Sequence, residues 1–264
     1  MSVMRAVSTR VARAGIPCST ILQVILHGLM TKNAGSGLQA ELEDSLRRKI
    51  EGEVRFDKLT RTLYSTDASN YEIEPVGVVI PRTEADVSAA GETALGFGAA
   101  ILPRGGGTSL AGQAVGRALV IDFSKYMNGV IEINLEAKTV RVQSGIYIEQ
   151  LNRRLKPSGL MFGPNPSTVR IATVGGAVGN NATGAHSILY GMSGDNVAAA
   201  KILRDGSPLD LHALTEAELE TRAKDSGASG TLFRNLSKLR EKYRGAIERD
   251  FPKHWRRASG YSLN

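Results

Sequence analysis

Pro103-Arg104-Gly105-Gly106-Gly107-Thr108-Ser109 follows directly on the apolar run Ala99-Ala100-Ile101-Leu102. A short strand running into three glycines and then two hydroxyl residues is a turn whose backbone can pass through positive φ, with no Cβ between its N–H groups and a ligand. Successive inward-pointing N–H groups make a concave anion site suited to a phosphate or pyrophosphate. Thr108 and Ser109 add hydroxyl donors, and Arg104 adds a permanent positive charge. A glycine-rich hairpin turn with no ligand has the same composition, so this stretch alone leaves both readings open.

A second glycine cluster lies further along: Phe162-Gly163-Pro164-Asn165-Pro166-Ser167-Thr168, then Ala172-Thr173-Val174-Gly175-Gly176-Ala177-Val178-Gly179-Asn180-Asn181-Ala182-Thr183-Gly184. Small side chains let backbone approach a bulky planar ligand, and asparagine amides both donate and accept at ring edges. A tightly packed loop and helix is the alternative. Neither cluster fits the commoner nucleotide motifs. No Gly-x-x-x-x-Gly-Lys-Ser/Thr occurs, which argues against a P-loop kinase or ATPase. Counted from Gly105, Gly-x-Gly-x-x-Gly fails at Leu110, and no acidic residue closes a second strand some twenty positions on, so a dinucleotide site here is not of Rossmann type.

The elements around the clusters are readable. Leu38, Leu42, Leu46 and Ile50 repeat at a spacing of four, one face of a helix. Tyr64 to Tyr71 is an extended polar loop. Val76 to Ile80 is a buried strand closed by Pro81, and Thr83 caps a helix from Glu84 to about Phe97 with Gly98 as its C′ residue. Ala99 to Leu102 and Leu119 to Phe123 add two strands, giving a small parallel α/β lobe around one crossover helix. Then the pattern changes. Val130 to Leu135 and Thr139 to Gln143 alternate as an antiparallel hairpin, Ile148 to Leu155 is a short helix, and Ala198 to Leu211 is a second hairpin with an Asp-Gly turn. Charged helices follow from Thr215 to Ala223 and from Gly230 to Glu248. The two glycine clusters fall one in each lobe.

Composition bounds the function. The chain has 264 residues, 42% hydrophobic and 22% charged, ordinary for a globular protein with a substantial core. A net charge of +7 with scattered basic residues, 5% aromatics and no zinc or RNP pattern argues against nucleic acid as a partner. The single cysteine, Cys18, excludes an intramolecular disulfide or a cysteine-ligated cluster within this sequence. Residues 1–37 hold Arg5, Arg10, Arg13 and Lys32 and no acidic residue. They are expected to be a disordered extension, or alternatively a mitochondrial presequence. The apolar run from Ile21 to Met30 is too short to span a bilayer, so no transmembrane segment is expected.

PRGGGTSLAGQAVG (103–116), GPNPS (163–167), ATVGGAVGNNATGAHS (172–187) and YGMSGDNV (190–197) together resemble the FAD-binding domain of the vanillyl-alcohol-oxidase/p-cresol-methylhydroxylase (PCMH-type) superfamily. Within it the likeness is greatest to D-lactate and glycolate dehydrogenase flavoproteins of the large, iron–sulfur-fused kind. The resemblance implies an α+β fold, with a small parallel α/β lobe and a larger lobe built on an antiparallel sheet. On this reading residues 38–71 are a helical arm and loop. Residues 72–212 form the FAD-binding domain, with lobes at about 72–125 and 126–212, and residues 213–264 connect to a substrate-binding cap that this sequence lacks.

The resemblance also implies roles. Pro103, Arg104, Gly105, Gly106, Gly107, Thr108 and Ser109 wrap the pyrophosphate, chiefly through backbone N–H groups. Thr173, Gly175, Gly176 and Asn181 line the dinucleotide from the second lobe, Pro164 and Gly184 shape the passage near the isoalloxazine, and the strand around Ile202 pairs with adenine. Related covalent flavoproteins carry a histidine where this chain has Thr108, so FAD is expected to be held non-covalently. The implied reaction is oxidation of a 2-hydroxy acid by hydride transfer to flavin N5, the redox chemistry being the cofactor's own. No catalytic residue is assigned: His186 suits a flavin ligand or base, but equally a structural histidine. The electron acceptor is open. A separate cap or iron–sulfur subunit is a possible partner, and an iron–sulfur cluster, if the protein has one, lies beyond Asn264. The expected location is the cytoplasm or the membrane periphery, or the mitochondrion if residues 1–37 are a presequence. A stand-alone FAD-binding or electron-transfer module and a non-flavin fold with packing glycines are the competing readings.

Overall fold

The computed structural model describes residues 2–5, 36–204 and 206–256. Helix α1 (Ser36–Lys49) carries the four-residue apolar repeat. Leu42, Leu46 and the following Ile50 are buried by it, whereas Leu38 at its start is not. Strand β2 (Glu53–Arg55) lies antiparallel to β3 (Gly77–Ile80). Strands β3 and β4 (Ile101–Arg104) flank β5 (Leu119–Asp122) in parallel, so the first sheet runs β2-β3-β5-β4. Leu42, Leu46, Val54, Phe56, Val79, Leu119 and Ile121 close one core beneath it.

The crossover from β3 to β4 is helix α3 (Glu84–Gly96). The Thr83 hydroxyl accepts the Asp86 N–H at 3.1 Å, and Gly98 leaves the helix in the left-handed region at φ +66. Asp86 is buried, and its carboxylate accepts the N–H groups of Glu51, Gly52 and Arg82 at 2.9, 3.1 and 2.8 Å. Three charge-assisted bonds offset the desolvation of that carboxylate and tie the approach to β2 onto the helix.

The second sheet is antiparallel throughout. It contains β6 (Val130–Asn134), β7 (Thr139–Val142), β8 (Val197–Arg204) and β9 (Ser207–His212). Strand β1 (Ser2–Arg5) is inserted between β7 and β8, giving the order β6-β7-β1-β8-β9. These four residues depart from the expectation of a disordered extension over 1–37. Without them, β7 and β8 would each present an unpaired row of ladder groups, which β1 satisfies on both sides. The apolar run Ile21 to Met30, Cys18 and the basic residues Arg10, Arg13 and Lys32 lie outside the described residues. Helix α2 (Lys58–Leu63) precedes the polar loop of residues 64–71, and α4 (Ile148–Leu155) and α5 (Val174–Gly179) pack on the second sheet. Val140, Val142, Ile148, Leu151, Phe162 and Val174 make that core. Helix α6 (Ser187–Tyr190) is a single turn. Helix α7 (Glu216–Lys224) begins in a Thr215–Glu218 capping box and is bridged to α8 (Gly227–Asp250) by Arg240 and Glu216 at 2.8 Å.

Most boundaries fall within a few residues of expectation, α8 starting at Gly227 rather than Gly230 among them. Strand β4 starts at Ile101 rather than Ala99, and β2 has no counterpart in the sequence reading, because three residues carry too little alternation to register. Strand β2 nevertheless supplies the strongest acid-sensitive group in the first sheet. Hydrogen bonds from Lys125, then Tyr126 and Arg55, lower the Glu53 carboxyl from 4.5 to about 2. A depressed carboxylate stabilises the fold fully above its ordinary value, and that contribution is lost as pH falls from 4.5 toward 2. Between about pH 5 and about pH 3 the thermal midpoint of the wild type is therefore expected to fall more steeply than that of Glu53→Gln. Parallel slopes in a pH series of melting curves would count against the assignment.

Candidate functional site

Strand β4 delivers the chain into the triple-glycine turn, and the hydrogen-bond account of that turn is incomplete. None of the backbone N–H groups of Gly105, Gly106, Gly107, Thr108, Ser109 or Leu110 donates to an acceptor among the described residues. Gly105 to Ser109 are half-buried residues, and Leu110 is exposed. Half-buried donors in an unbroken row invite an anionic acceptor. The far end of the turn is closed on itself: Gln113 N–H donates to Ser109 Oγ at 3.1 Å, and Ala114 N–H to Asp67 Oδ2 at 3.2 Å.

The glycines are explained by their neighbours. A Cβ on Gly105 would run into Thr173 Oγ1, and one on Gly106 into the Ile171 carbonyl oxygen. The triple-glycine turn thus packs directly on residues 171–173, where the second cluster resumes. Only Gly107 uses the left-handed region, at φ +64, and a Cβ there would sit 2.7 Å from Arg104 Nη2.

Arg104 is tied into the scaffold of the turn. Its guanidinium is turned under the loop: Nη1 donates to Ala114 O at 2.8 Å and Tyr64 O at 3.3 Å, and Nη2 to Thr66 O at 2.8 Å. It also lies 5.1 Å from the Tyr64 ring centroid. Burial lowers its pKa. Both of its terminal nitrogens are spent on carbonyls, so the residue fixes the loop's shape. Beneath it, Tyr64 Oη donates to the buried Asp122 Oδ2 at 2.5 Å, and burial, followed by Asp122, pushes the phenol up. Asp67 accepts Ser69 N–H at 2.8 Å as well as Ala114 N–H. Burial would raise its carboxyl, but those bonds hold it below the usual range. Tyr64, Asp67 and Asp122 were not among the residues the sequence singled out. Two of them lie in the polar loop whose purpose was not legible.

The second cluster is more structural than its composition suggests. Thr173 is 1% exposed and caps α5, its Oγ1 accepting Gly176 N–H at 3.2 Å. Gly175 donates to Ser144 O at 2.8 Å. The Asn181 side chain turns to its own lobe, where Oδ1 accepts Gly194 N–H at 2.9 Å. Gly184 packs against the carbonyls of Asn165 and buried Pro164, bringing the two halves of the cluster together. Ile202 stands opposite Leu209 in the β8–β9 ladder, beyond Ala200 where pairing with β1 ends. His186 is exposed and makes an edge-on contact with Tyr190 at 6.3 Å between centroids. Among the described residues no group of three or more His, Cys, Asp or Glu side chains is placed to hold a metal, and no helix is long and apolar enough to cross a membrane.

The family model described as "FAD binding domain" matches residues 75–211, from the approach to β3 to the end of β9. The chain belongs to the FAD-binding domain family. The D-2-hydroxyglutarate dehydrogenase of Pseudomonas putida is 37% identical over 236 residues, which are 87% of this chain and 23% of that protein. The mitochondrial D-lactate dehydrogenase [cytochrome] of Kluyveromyces lactis is 32% identical over 165 residues, 60% of this chain and 28% of that one. This FAD-binding domain therefore spans about a quarter of the length of such curated relatives. Among solved structures, alkyldihydroxyacetonephosphate synthase superposes with a TM-score of 0.60 at 22% identity, over 66% of this chain and 38% of that one. The fold is the α+β, PCMH-type one. The row of free N–H groups and the glycines that keep the lobes in contact fit the dinucleotide that the family implies.

Proposed function

We propose that this chain is the FAD-binding portion of an oxidoreductase that oxidises a 2-hydroxy acid, of the class of D-2-hydroxyglutarate, D-lactate or glycolate, and that it holds FAD without a covalent bond. The observation that carries the reading is the run of unspent N–H donors from Gly105 to Leu110 at the contact between the two glycine clusters. When bound, FAD supplies the two-electron acceptor for the hydride leaving the hydroxyl-bearing carbon. The residues from Pro103 to Ser109 hold the pyrophosphate through backbone donors, aided by the Thr108 and Ser109 hydroxyls and the underlying Arg104 charge. Gly175 and Gly176 present small surface to the dinucleotide from the second lobe, where the buried Thr173 holds them as the α5 cap, and the Asn181 amide contributes by holding residues 192–194 in place. Pro164 and Gly184 shape the passage beside them, and the Ile202 backbone flanks the adenine. Thr108 offers no imidazole nitrogen for attachment to the flavin.

The purified chain is expected to show absorbance bands near ~370 and ~450 nm that move to the supernatant on acid precipitation. Colour retained in the pellet would refute non-covalent binding. A colourless protein that also fails to quench the fluorescence of added FAD would refute the cofactor site itself. Anaerobic bleaching by a 2-hydroxy acid then separates substrate oxidation from an electron-transfer module.

A further inference from the structure

Gly184, placed above beside the flavin passage, also lines an open cavity of about 470 Å³ whose own occupant the reading above does not name. That volume lies within the range of small-molecule sites. Its walls include Asn165, Pro166, Ser167, Val169, Thr183 and Arg256, and no acidic residue. Arg256 enters from the segment after α8, and its Nη2 donates to Thr183 Oγ1 at 3.2 Å. Among the described residues that is the one hydrogen bond its guanidinium makes, and it forms no ion pair. The Asn165 amide and the Ser167 hydroxyl are likewise unused within the described residues. Most guanidinium N–H donors thus remain available, beside an amide and two hydroxyls, with Pro166 and Val169 as apolar wall.

A planar cation with its fork free selects a planar anion, since two parallel N–H···O bonds match a carboxylate. The neighbouring amide and hydroxyls satisfy the remaining lone pairs, and the apolar wall suits a short carbon chain. The site is also separate from the free N–H row, because no residue from Gly105 to Leu110 lines the cavity. We propose that this cavity is a carboxylate subsite, in which Arg256, Thr183 and Asn165 bind the acid group of a small hydroxy acid. The assignment of that acid as substrate rests on the function proposed above; the carboxylate site itself does not.

The test uses the full chain and two separate titrations. Calorimetry with glutarate and with D-2-hydroxyglutarate is run on wild type and Arg256→Gln, both with FAD and flavin-free. FAD affinity is measured independently by fluorescence quenching. Arg256 is exposed, so the variant is expected to keep its circular dichroism and thermal midpoint. Carboxylate binding should weaken at least about tenfold in Arg256→Gln and recover partly in Arg256→Lys, with FAD affinity unchanged within about twofold. The uncharged glutaramide should bind wild type and Arg256→Gln alike. Equal glutarate affinity in wild type and Arg256→Gln overturns the subsite. So does inorganic phosphate binding as tightly as glutarate, or a parallel loss of FAD affinity, which would give Arg256 to the cofactor. A wild type that binds glutarate through Arg256 but takes up no FAD would leave this subsite standing while removing the function proposed above.

Discussion

Gly106→Val is expected to leave the protein unable to retain FAD, with a dissociation constant raised at least about a hundredfold, equivalent to about 3 kcal/mol. The cause is overpacking, which costs about 1–3 kcal/mol for added methyl groups in a filled space and more where backbone is struck. At Gly106 the obstacle is the Ile171 carbonyl oxygen, and that segment cannot retreat. Ile171 N–H and Ala172 N–H both donate to Thr168 O, at 2.8 and 2.7 Å, and Ala172 O accepts Ile148 N–H at 3.0 Å. Gly105 meets a side chain instead, Thr173 Oγ1, which gives a second arm to the experiment. Gly105→Ala should lose most flavin affinity, and adding Thr173→Ala should restore it to within about tenfold of wild type, at the cost of about 1 kcal/mol for the lost α5 cap. No side-chain deletion should rescue position 106. Undiminished flavin in Gly106→Val, measured as absorbance per protein after gel filtration, would mean that the contact between the glycine clusters is not part of the site.

That contrast also marks how far the sequence could be read. Local chemistry was legible: the Leu42–Leu46–Ile50 stripe, the Thr83 cap with Gly98 beyond it, and both hairpins follow from periodicity and turn residues a few positions apart. The composition of 103–109 and 163–184 likewise called for small residues near a ligand. What the small residues avoid was not legible, because Gly105 and Thr173 are brought together by the packing of two lobes. The same holds for Arg104. Its partner strand places Asp122 beside it in parallel register, and its acceptors come from residues 64–66 and 114. A cation before three glycines reads naturally as a phosphate ligand when none of those neighbours is visible. Strand β1 was missed for a related reason. Four residues with no local partner show no pattern, and their pairing is decided by β7 and β8 far along the chain.

Lysine at position 104 separates two roles for Arg104, direct phosphate ligand and scaffold of the turn, because they call for opposite results. Arg104→Met leaves three carbonyl oxygens, on Tyr64, Thr66 and Ala114, without their donor in a half-buried setting. Hydrogen bonds to a charged donor contribute about 1.5–3 kcal/mol each, and part of the loss is recovered by water at this partly open site, so a net destabilisation of about 3 kcal/mol is expected. For a domain of this size that lowers the thermal midpoint by roughly 6–12 °C. The space under Gly107 also empties, so the donor row loses its shape and FAD binding should weaken about tenfold or more. Lysine decides between the roles. An ammonium binds phosphate well as a point charge, so if Arg104 held the pyrophosphate directly, Arg104→Lys would keep most of the flavin affinity and a near-native midpoint. An ammonium cannot reproduce a rigid planar fork bridging carbonyls on two separate loops, so on the geometry found here Arg104→Lys should resemble Arg104→Met in both melting and flavin titration. Tyr64→Phe serves as the graded control: it removes the Asp122 bond and keeps the ring under the guanidinium, so its losses should be smaller than those of either Arg104 variant.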